Sequence, residues 1–230
     1  VCSSDLNVQQ LQIKPGEKIA ILGKVGAGKS TLLKLLAGQA TPTGGKIIID
    51  GVDITRIDPV DLRRQLGYLS QDSRLFFGTL RQNLMLGHPH ATDQEMLQAL
   101  RISGALSMVQ QDAASLDRII NEGGRGLSGG QQQMVLISRM VLRNPQVVLM
   151  DEPTASMDEQ LEEYVLRQMH SWLTGRTLVL VTHRPALLKL VDRIVVMDNG
   201  RVVADGPREQ ILANAAATQA AAAKAQQGAA

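Results

Sequence analysis

Apolar positions along this chain fall into two kinds of run. Short unbroken runs occur at Ile19-Ala20-Ile21-Leu22, Val147-Val148-Leu149-Met150 and Leu178-Val179-Leu180-Val181. They are too short for helices and have no polar face, so each reads as a strand covered on both sides. Residues 8–22 as a whole read as two strands joined at the turn pair Pro15-Gly16. Ile47-Ile48-Ile49 and Val52-Asp53-Ile54 flank Asp50-Gly51, and residues 194–197 and 202–204 flank Asn199-Gly200, so both read as hairpins. Elsewhere the spacing is helical: 31–37, ending at Gly38, and a helix through Leu66 with Asp58 as cap and Pro59 in its first position. Thr92-Asp93-Gln94-Glu95 is a capping box that opens another helix, and a long helix begins just after Ser128. The pattern is mainly helical over about 76–140. Strands alternating with helices predict an α/β protein with a mostly parallel sheet and a helical insertion in the middle.

The two ends do not fit that pattern. Residues 213–230 are rich in Ala and Gln, without Leu, Ile, Val or an aromatic residue, so they cannot join a core. A frayed helix or disorder is expected there, with no function. Val1-Cys2-Ser3-Ser4-Asp5-Leu6 can be encoded by codons that match the end of a common sequencing-library adapter. Residues 1–6 are therefore read as a non-native addition, leaving a domain over 7–212 that belongs to something longer.

Composition narrows the field. Of 230 residues, 44% are hydrophobic and 20% charged, as expected for one large globular domain or two intimately joined ones. The net charge is only +2 and aromatics are 2%, so neither a phosphate-backbone surface nor a base-stacking surface is indicated. No apolar run approaches the ~18–20 residues that span a bilayer, and the first residues lack the pattern of a signal peptide. The single Cys2 excludes an intrachain disulfide and fits a reducing compartment.

Three motifs carry chemistry. Gly23-Lys24-Val25-Gly26-Ala27-Gly28-Lys29-Ser30 matches a phosphate loop lying between a strand and a helix. Its glycines let backbone N–H groups turn inward to phosphate oxygens, Lys29 reaches the terminal phosphates and the Ser30 hydroxyl can ligate Mg²⁺. The helix that continues through Thr31 adds its positive dipole end. The run 147–150 ends in Asp151 and Glu152. Asp151 is assigned to Mg²⁺ through water, and Glu152 to deprotonating the attacking water; without its surroundings the pair reads equally well as a strand-end cap. Ser128, Gly129, Gly130 and Gln131 place a hydroxyl and two glycine N–H groups at a helix start, a second anion cradle or a plain helix cap. Two cradles suit one nucleotide only if two copies meet head-to-tail, each completing the other's site.

With Leu127-Ser128-Gly129-Gly130-Gln131 between the phosphate loop and the acidic strand end, the chain resembles the ATP-binding cassette (ABC) ATPases from about Leu11 to Leu212. The resemblance implies a P-loop NTPase with a RecA-like, mostly parallel core, an antiparallel β subdomain and an inserted helical signature subdomain. It implies ATP and Mg²⁺ as cofactors, with Gln71 contacting Mg²⁺ and the attacking water. Asp158 matches the loop that crosses the dimer interface, although it reads also as a helix N-terminal acid. His183, after a buried strand, is placed to donate to the γ-phosphate; His88, His90 and His170 are expected in solvent.

The stretch Leu75-Phe76-Phe77-Gly78-Thr79-Leu80-Arg81-Gln82-Asn83, with Glu122-Gly123-Gly124-Arg125-Gly126 and Thr182-His183-Arg184-Pro185, looks most like bacterial type I secretion exporters of large toxins and adhesins. Such a likeness implies the cytoplasmic face of the inner membrane and a membrane-spanning domain in the same polypeptide. It also implies a second copy of this domain and, indirectly, a periplasmic adaptor and an outer-membrane channel, with no nucleic acid. Gln132 stands where the family usually has a basic residue, and Met157 where it usually has Leu. The family also stacks adenine on an aromatic residue before the phosphate loop, whereas the first aromatic here is Tyr68. Stacking is worth roughly 1–3 kcal/mol, so ATP binding is expected to be weak. Competing readings are a soluble cassette ATPase acting on nucleic acid or ribosomes, and a nucleotide switch without turnover. The absence of basic or coiled-coil insertions counts against the first, Glu152 and His183 against the second.

Overall fold

The structure is a computed structural model describing residues 6–110 and 115–227, the side chains of 218–227 excepted. All but Leu6 of the segment read as non-native lies outside the described residues. The strand β1 (Lys18–Gly23) runs through the glycine loop into α1 (Lys29–Leu36). A hairpin of β2 (Ile48–Ile49) and β3 (Val52–Asp53) turns at Asp50-Gly51, both at positive φ. In α2 (Pro59–Gln65) the Asp58 carboxylate accepts from the Val60 N–H at 2.7 Å, and the helix passes directly into β4 (Leu66–Leu69). The insertion comprises β5 (Gly78–Thr79), α3 (Leu80–Met85), α4 (Asp93–Ser103), α5 (Ser107–Gln110), β6 (Ile119–Ile120) and α6 (Gly129–Arg143). Thereafter come β7 (Val147–Asp151), α7 (Glu159–Trp172), β8 (Thr177–Val181), β9 (Arg193–Asp198), β10 (Arg201–Pro207) and α8 (Arg208–Gln227).

Among the described residues the main sheet is ordered β10-β9-β1-β8-β7-β4. Every neighbouring pair is parallel except the β9–β10 hairpin. The unbroken apolar runs follow from this, because alternate side chains feed two separate cores. On one face Ile19, Ile21, Leu149, Val179 and Val181 meet Leu32 and Leu33 of α1 and Leu62 of α2. On the other face Ala20, Val148, Met150, Leu178 and Leu180 meet the apolar sides of α3, α4, α6 and α7.

One expectation changes, and two ladders add to the pattern. Residues 8–14 form no strand: Val8, Leu11 and Ile13 are half-buried against the α1 core, but the backbone enters no ladder. Apolar alternation shows which side of a segment is buried and says nothing about a hydrogen-bonding neighbour. Conversely, β4 was not foreseen from Leu66-Gly67-Tyr68-Leu69, which exists as a strand because it pairs with β7, Leu69 opposite Met150. The β5–β6 ladder inside the helical insertion likewise joins residues about forty positions apart, Gly78 with Ile120 and Thr79 with Ile119. The Ala-rich tail continues α8 as helix to Gln227.

Candidate functional site

The parallel strands β1, β7 and β8 all end at one edge of the sheet. At that edge β1 hands over to the loop at Gly23, with φ +153°. A Cβ on Gly23 would lie 2.2 Å from the carbonyl oxygen of Met197, so no other residue fits between β1 and β9 there. Gly26 and Gly28 follow at φ +83° and +92° and curl the chain into α1. No side chain caps α1, which leaves its positive end facing whatever the loop encloses. Lys24 and Val25 are exposed, Ala27 is buried, and Ser30 and Thr31 are half-buried on the first turn. Lys29 is only 7% exposed. Its ammonium donates to the carbonyls of Gly23 at 2.7 Å and Lys24 at 2.9 Å. Burial lowers its pKa below the ordinary lysine value, against the opposing pull of the Glu152 and Asp151 carboxylates.

Asp151 closes β7 opposite Val181 and is 3% exposed. Glu152 next to it adopts φ +50°, a left-handed conformation that costs a non-glycine residue roughly 1–2 kcal/mol. Its N–H is held by the Val181 carbonyl at 2.9 Å, and the buried Thr182 hydroxyl donates to Oε2 at 3.3 Å. The other oxygen, Oε1, is buried without a hydrogen-bond partner among the described residues, and the exposed His183 ring approaches it only to 3.7 Å. A buried carboxylate oxygen without a donor is expensive, so this atom is set for a small donor such as water. Gln71 follows β4 by two residues and therefore stands at the same edge, beside the end of β7. The fold thus gathers Gly23, Lys29, Ser30, Gln71, Asp151, Glu152 and His183.

Among the described residues, no three His, Cys, Asp or Glu side chains cluster into a metal cage. Mg²⁺ keeps several waters and binds through one or two protein oxygens plus phosphates. Ser30 and the buried Asp151 are the oxygen donors beside Lys29.

The second glycine motif lies elsewhere. Ser128 caps α6 in a reciprocal box: its hydroxyl accepts from the Gln131 N–H at 3.1 Å, and the Gln131 side chain accepts from the Ser128 N–H at 3.0 Å. Within one chain, then, this hydroxyl serves as a helix cap. Cβ atoms at Gly129 and Gly130 would lie 2.9 Å from Ser156 Cβ and 3.2 Å from a Leu161 methyl. The neighbours of this turn are thus residues of the stretch after Glu152, not of the phosphate loop. Asp158 caps α7, accepting from the Leu161 N–H at 2.8 Å. Gln132, at the usually basic position, donates to the Gly124 and Leu127 carbonyls, each at 3.2 Å. Met157 is buried in the core beneath α6 and α7. His88, His90 and His170 are exposed, as expected.

Two features of the site were not read from the sequence. Thr182 orients Glu152 and also accepts from the Arg184 N–H at 3.0 Å. Glu162, in the first turn of α7, is buried and takes the Thr154 hydroxyl and the Arg184 guanidinium, the latter at 3.2 Å; a second Arg184 nitrogen reaches the Ala155 carbonyl at 3.0 Å. This network holds the stretch 153–158 in place. The only sequence signal for it was the adjacency of Thr182 and Arg184 to His183.

The chain is 38% identical over 209 residues to the leukotoxin translocation ATP-binding protein LktB of Mannheimia glucosida, covering 91% of this chain and 30% of that one. It is 37% identical, with the same coverage, to the toxin RTX-I translocation ATP-binding protein of Actinobacillus pleuropneumoniae. Its structure resembles a bacterial Atm1-family ABC exporter with ATP bound, with TM-score 0.83 and 34% identity, covering 88% of this chain and 35% of the exporter chain. The chain therefore spans about 30% of the length of those curated relatives. Residues 6–155, from ahead of the phosphate loop to beyond Glu152, match the ABC transporter family, and with these relatives they establish that the chain belongs to it.

Proposed function

We propose that this chain binds ATP with Mg²⁺ and hydrolyses it to ADP and phosphate, as the motor of an exporter that moves a secreted protein across a bacterial inner membrane. The observation that carries the reading is the buried, unpartnered Oε1 of Glu152 at the strand edge that also presents Lys29 and Asp151. The toxin-translocation names of the relatives and the ATP-bound exporter of similar structure support the transport setting.

Loop N–H groups, the end of α1 and the Lys29 ammonium hold the triphosphate, while Ser30, Asp151 and Gln71 hold the cation. Bound there, Mg²⁺ would neutralise charge on the terminal phosphates. Glu152 takes a proton from the attacking water as its oxygen bonds the γ-phosphorus, and the bond from that phosphorus to the bridging oxygen breaks to release ADP. Thr182 keeps the carboxylate aimed, and His183 donates to the γ-phosphate. A second copy completes each site head-to-tail through Ser128, Gly129, Gly130, Gln131 and Asp158, of which Ser128, Gly129 and Asp158 lie exposed. The membrane partner is a transmembrane domain of the same longer polypeptide, acting with a periplasmic adaptor and an outer-membrane channel.

Glu152→Gln is expected to keep ATP binding, lower turnover by ~10²-fold or more and accumulate dimer; steady-state hydrolysis near the unaltered rate would remove Glu152 as the base. The head-to-tail arrangement is tested by mixing Lys29→Ala with Ser128→Arg, each inactive alone. Mixed dimers keep one intact site, so activity should return to about a quarter of the unaltered level. No recovery on mixing defeats the arrangement.

A further inference from the structure

Arg139, in the middle of α6, carries a charge that the chemistry above does not use. Its guanidinium is largely withdrawn from water, and among the described residues it pairs with no carboxylate. All its partners are carbonyl oxygens. Nε donates to the Asn83 backbone carbonyl at 2.8 Å, one terminal nitrogen to the Arg74 carbonyl at 2.8 Å, and the other to the Asn83 side-chain oxygen. The guanidinium carbon stands 5.5 Å from the centre of the Phe76 ring. Burial alone pulls its pKa down to about 10. A largely desolvated ion without a counter-charge is a poor source of stability, although its removal would leave the Asn83 and Arg74 oxygens without this donor. What a planar fork supplies here is geometry.

The fork organises one segment. Asn83, 1% exposed, donates to the Phe76 and Thr79 carbonyls and accepts from the Phe76 N–H, all at 3.0 Å. Arg74, whose carbonyl Arg139 holds, extends its own guanidinium to the Gln71 carbonyl at 3.2 Å and the Ser73 carbonyl at 3.0 Å. At the far end a Cβ on Gly87 would lie 2.2 Å from the Arg139 carbonyl oxygen, so that backbone rests directly on α6. Residues 71–87 are thereby joined to the helix whose N-cap is Ser128.

We propose that Arg139, with Asn83, is a positioning residue that makes the Gln71 loop and helix α6 move as one body. The place of Gln71 at the strand edge and the place of Ser128 at the start of α6 are then set together. The inference rests on the assignment of Gln71 to the nucleotide site.

Arg139→Met keeps the stem of the side chain and removes the fork. Its melting temperature should stay within about 5 °C of that of the unaltered chain, with kcat lower by about tenfold and KM for ATP within about twofold. The double variant Gln71→Ala/Arg139→Met should be no slower than Gln71→Ala alone, because both act through one group. Arg139→Lys should not rescue kcat, since a single ammonium cannot span three fixed acceptors. An unchanged kcat, effects that add fully, or a melting temperature lowered by more than about 5 °C would each overturn the proposal, the last by marking Arg139 as structural. If the unaltered chain hydrolyses no ATP, it is the proposed function that fails. The coupling is then read in amide exchange without nucleotide: Arg139→Met should speed exchange over 71–83 by about tenfold while amides 134–141 stay protected, and unchanged exchange over 71–83 defeats it.

Discussion

Gly129 owes its identity to a neighbour. It is not among the positive-φ glycines, yet a Cβ there would lie 2.9 Å from the Cβ and 3.2 Å from the hydroxyl of Ser156. Overpacking at such a contact costs typically 1–3 kcal/mol, about what a strained core insertion costs. Gly129→Ala is therefore expected to lower the melting temperature and turnover together, and Ser156→Gly on top of it should return at least roughly half of the lost stability. Calorimetry on the two variants checks this; no recovery would mean that the glycine is needed for something other than room. Glu152 shows the opposite case, a residue kept despite its backbone: φ +50° is tolerated because Val181 and Thr182 hold it. The motif singles out Glu152 as the proposed base, whereas Thr182, whose hydroxyl donates to its carboxylate, lies thirty positions away.

Helix starts in this protein do two jobs, and substitution can separate them. Asp158 caps α7 through one oxygen that accepts from the Leu161 N–H. Asparagine caps as well as aspartate does, whereas alanine loses about 1 kcal/mol. Asp158→Asn should keep the melting temperature but lose turnover severalfold if the charge serves the partner's site; unchanged turnover would leave Asp158 only a cap. At the start of α4, bonds from the Arg81 guanidinium hold the Asp93 carboxyl below the usual aspartate range. A depressed acid pKa gives stability that is present above the unfolded value of ~3.9 and lost as pH falls through the folded one. Melting temperatures measured below about pH 4 should consequently fall less steeply for Asp93→Asn than for the unaltered chain. A parallel pH profile would show that Asp93 contributes nothing there. The capping box at Thr92 was legible because its partner sits three residues on, and so was the helix start after Ser128. The Arg81 cluster was not, since Asp117 approaches it from 36 positions away.

The whole molecule is a sheet with two cores, and among the described side chains none after Ile211 belongs to either. Residues 213–217 are exposed, so a chain ended at Leu212 should melt within a few degrees of the unaltered one and hydrolyse ATP equally well. A large drop in melting temperature would show that α8 contributes packing further along. The phosphate loop, the acidic strand end and the buried strands could be recognised from residue order alone. Their physics is local: consecutive N–H groups wrap an anion, and short apolar runs need cover on both sides. Strand neighbours are a different matter. Whether 8–14 pairs, whether 66–69 pairs, and which helix holds the Arg74 and Asn83 carbonyls depend on hydrogen-bond partners brought near only by folding. The same holds for Gly129 against Ser156 and for Arg139 across 71–83. Residue order specifies what each group can do, and packing between distant segments decides which groups meet.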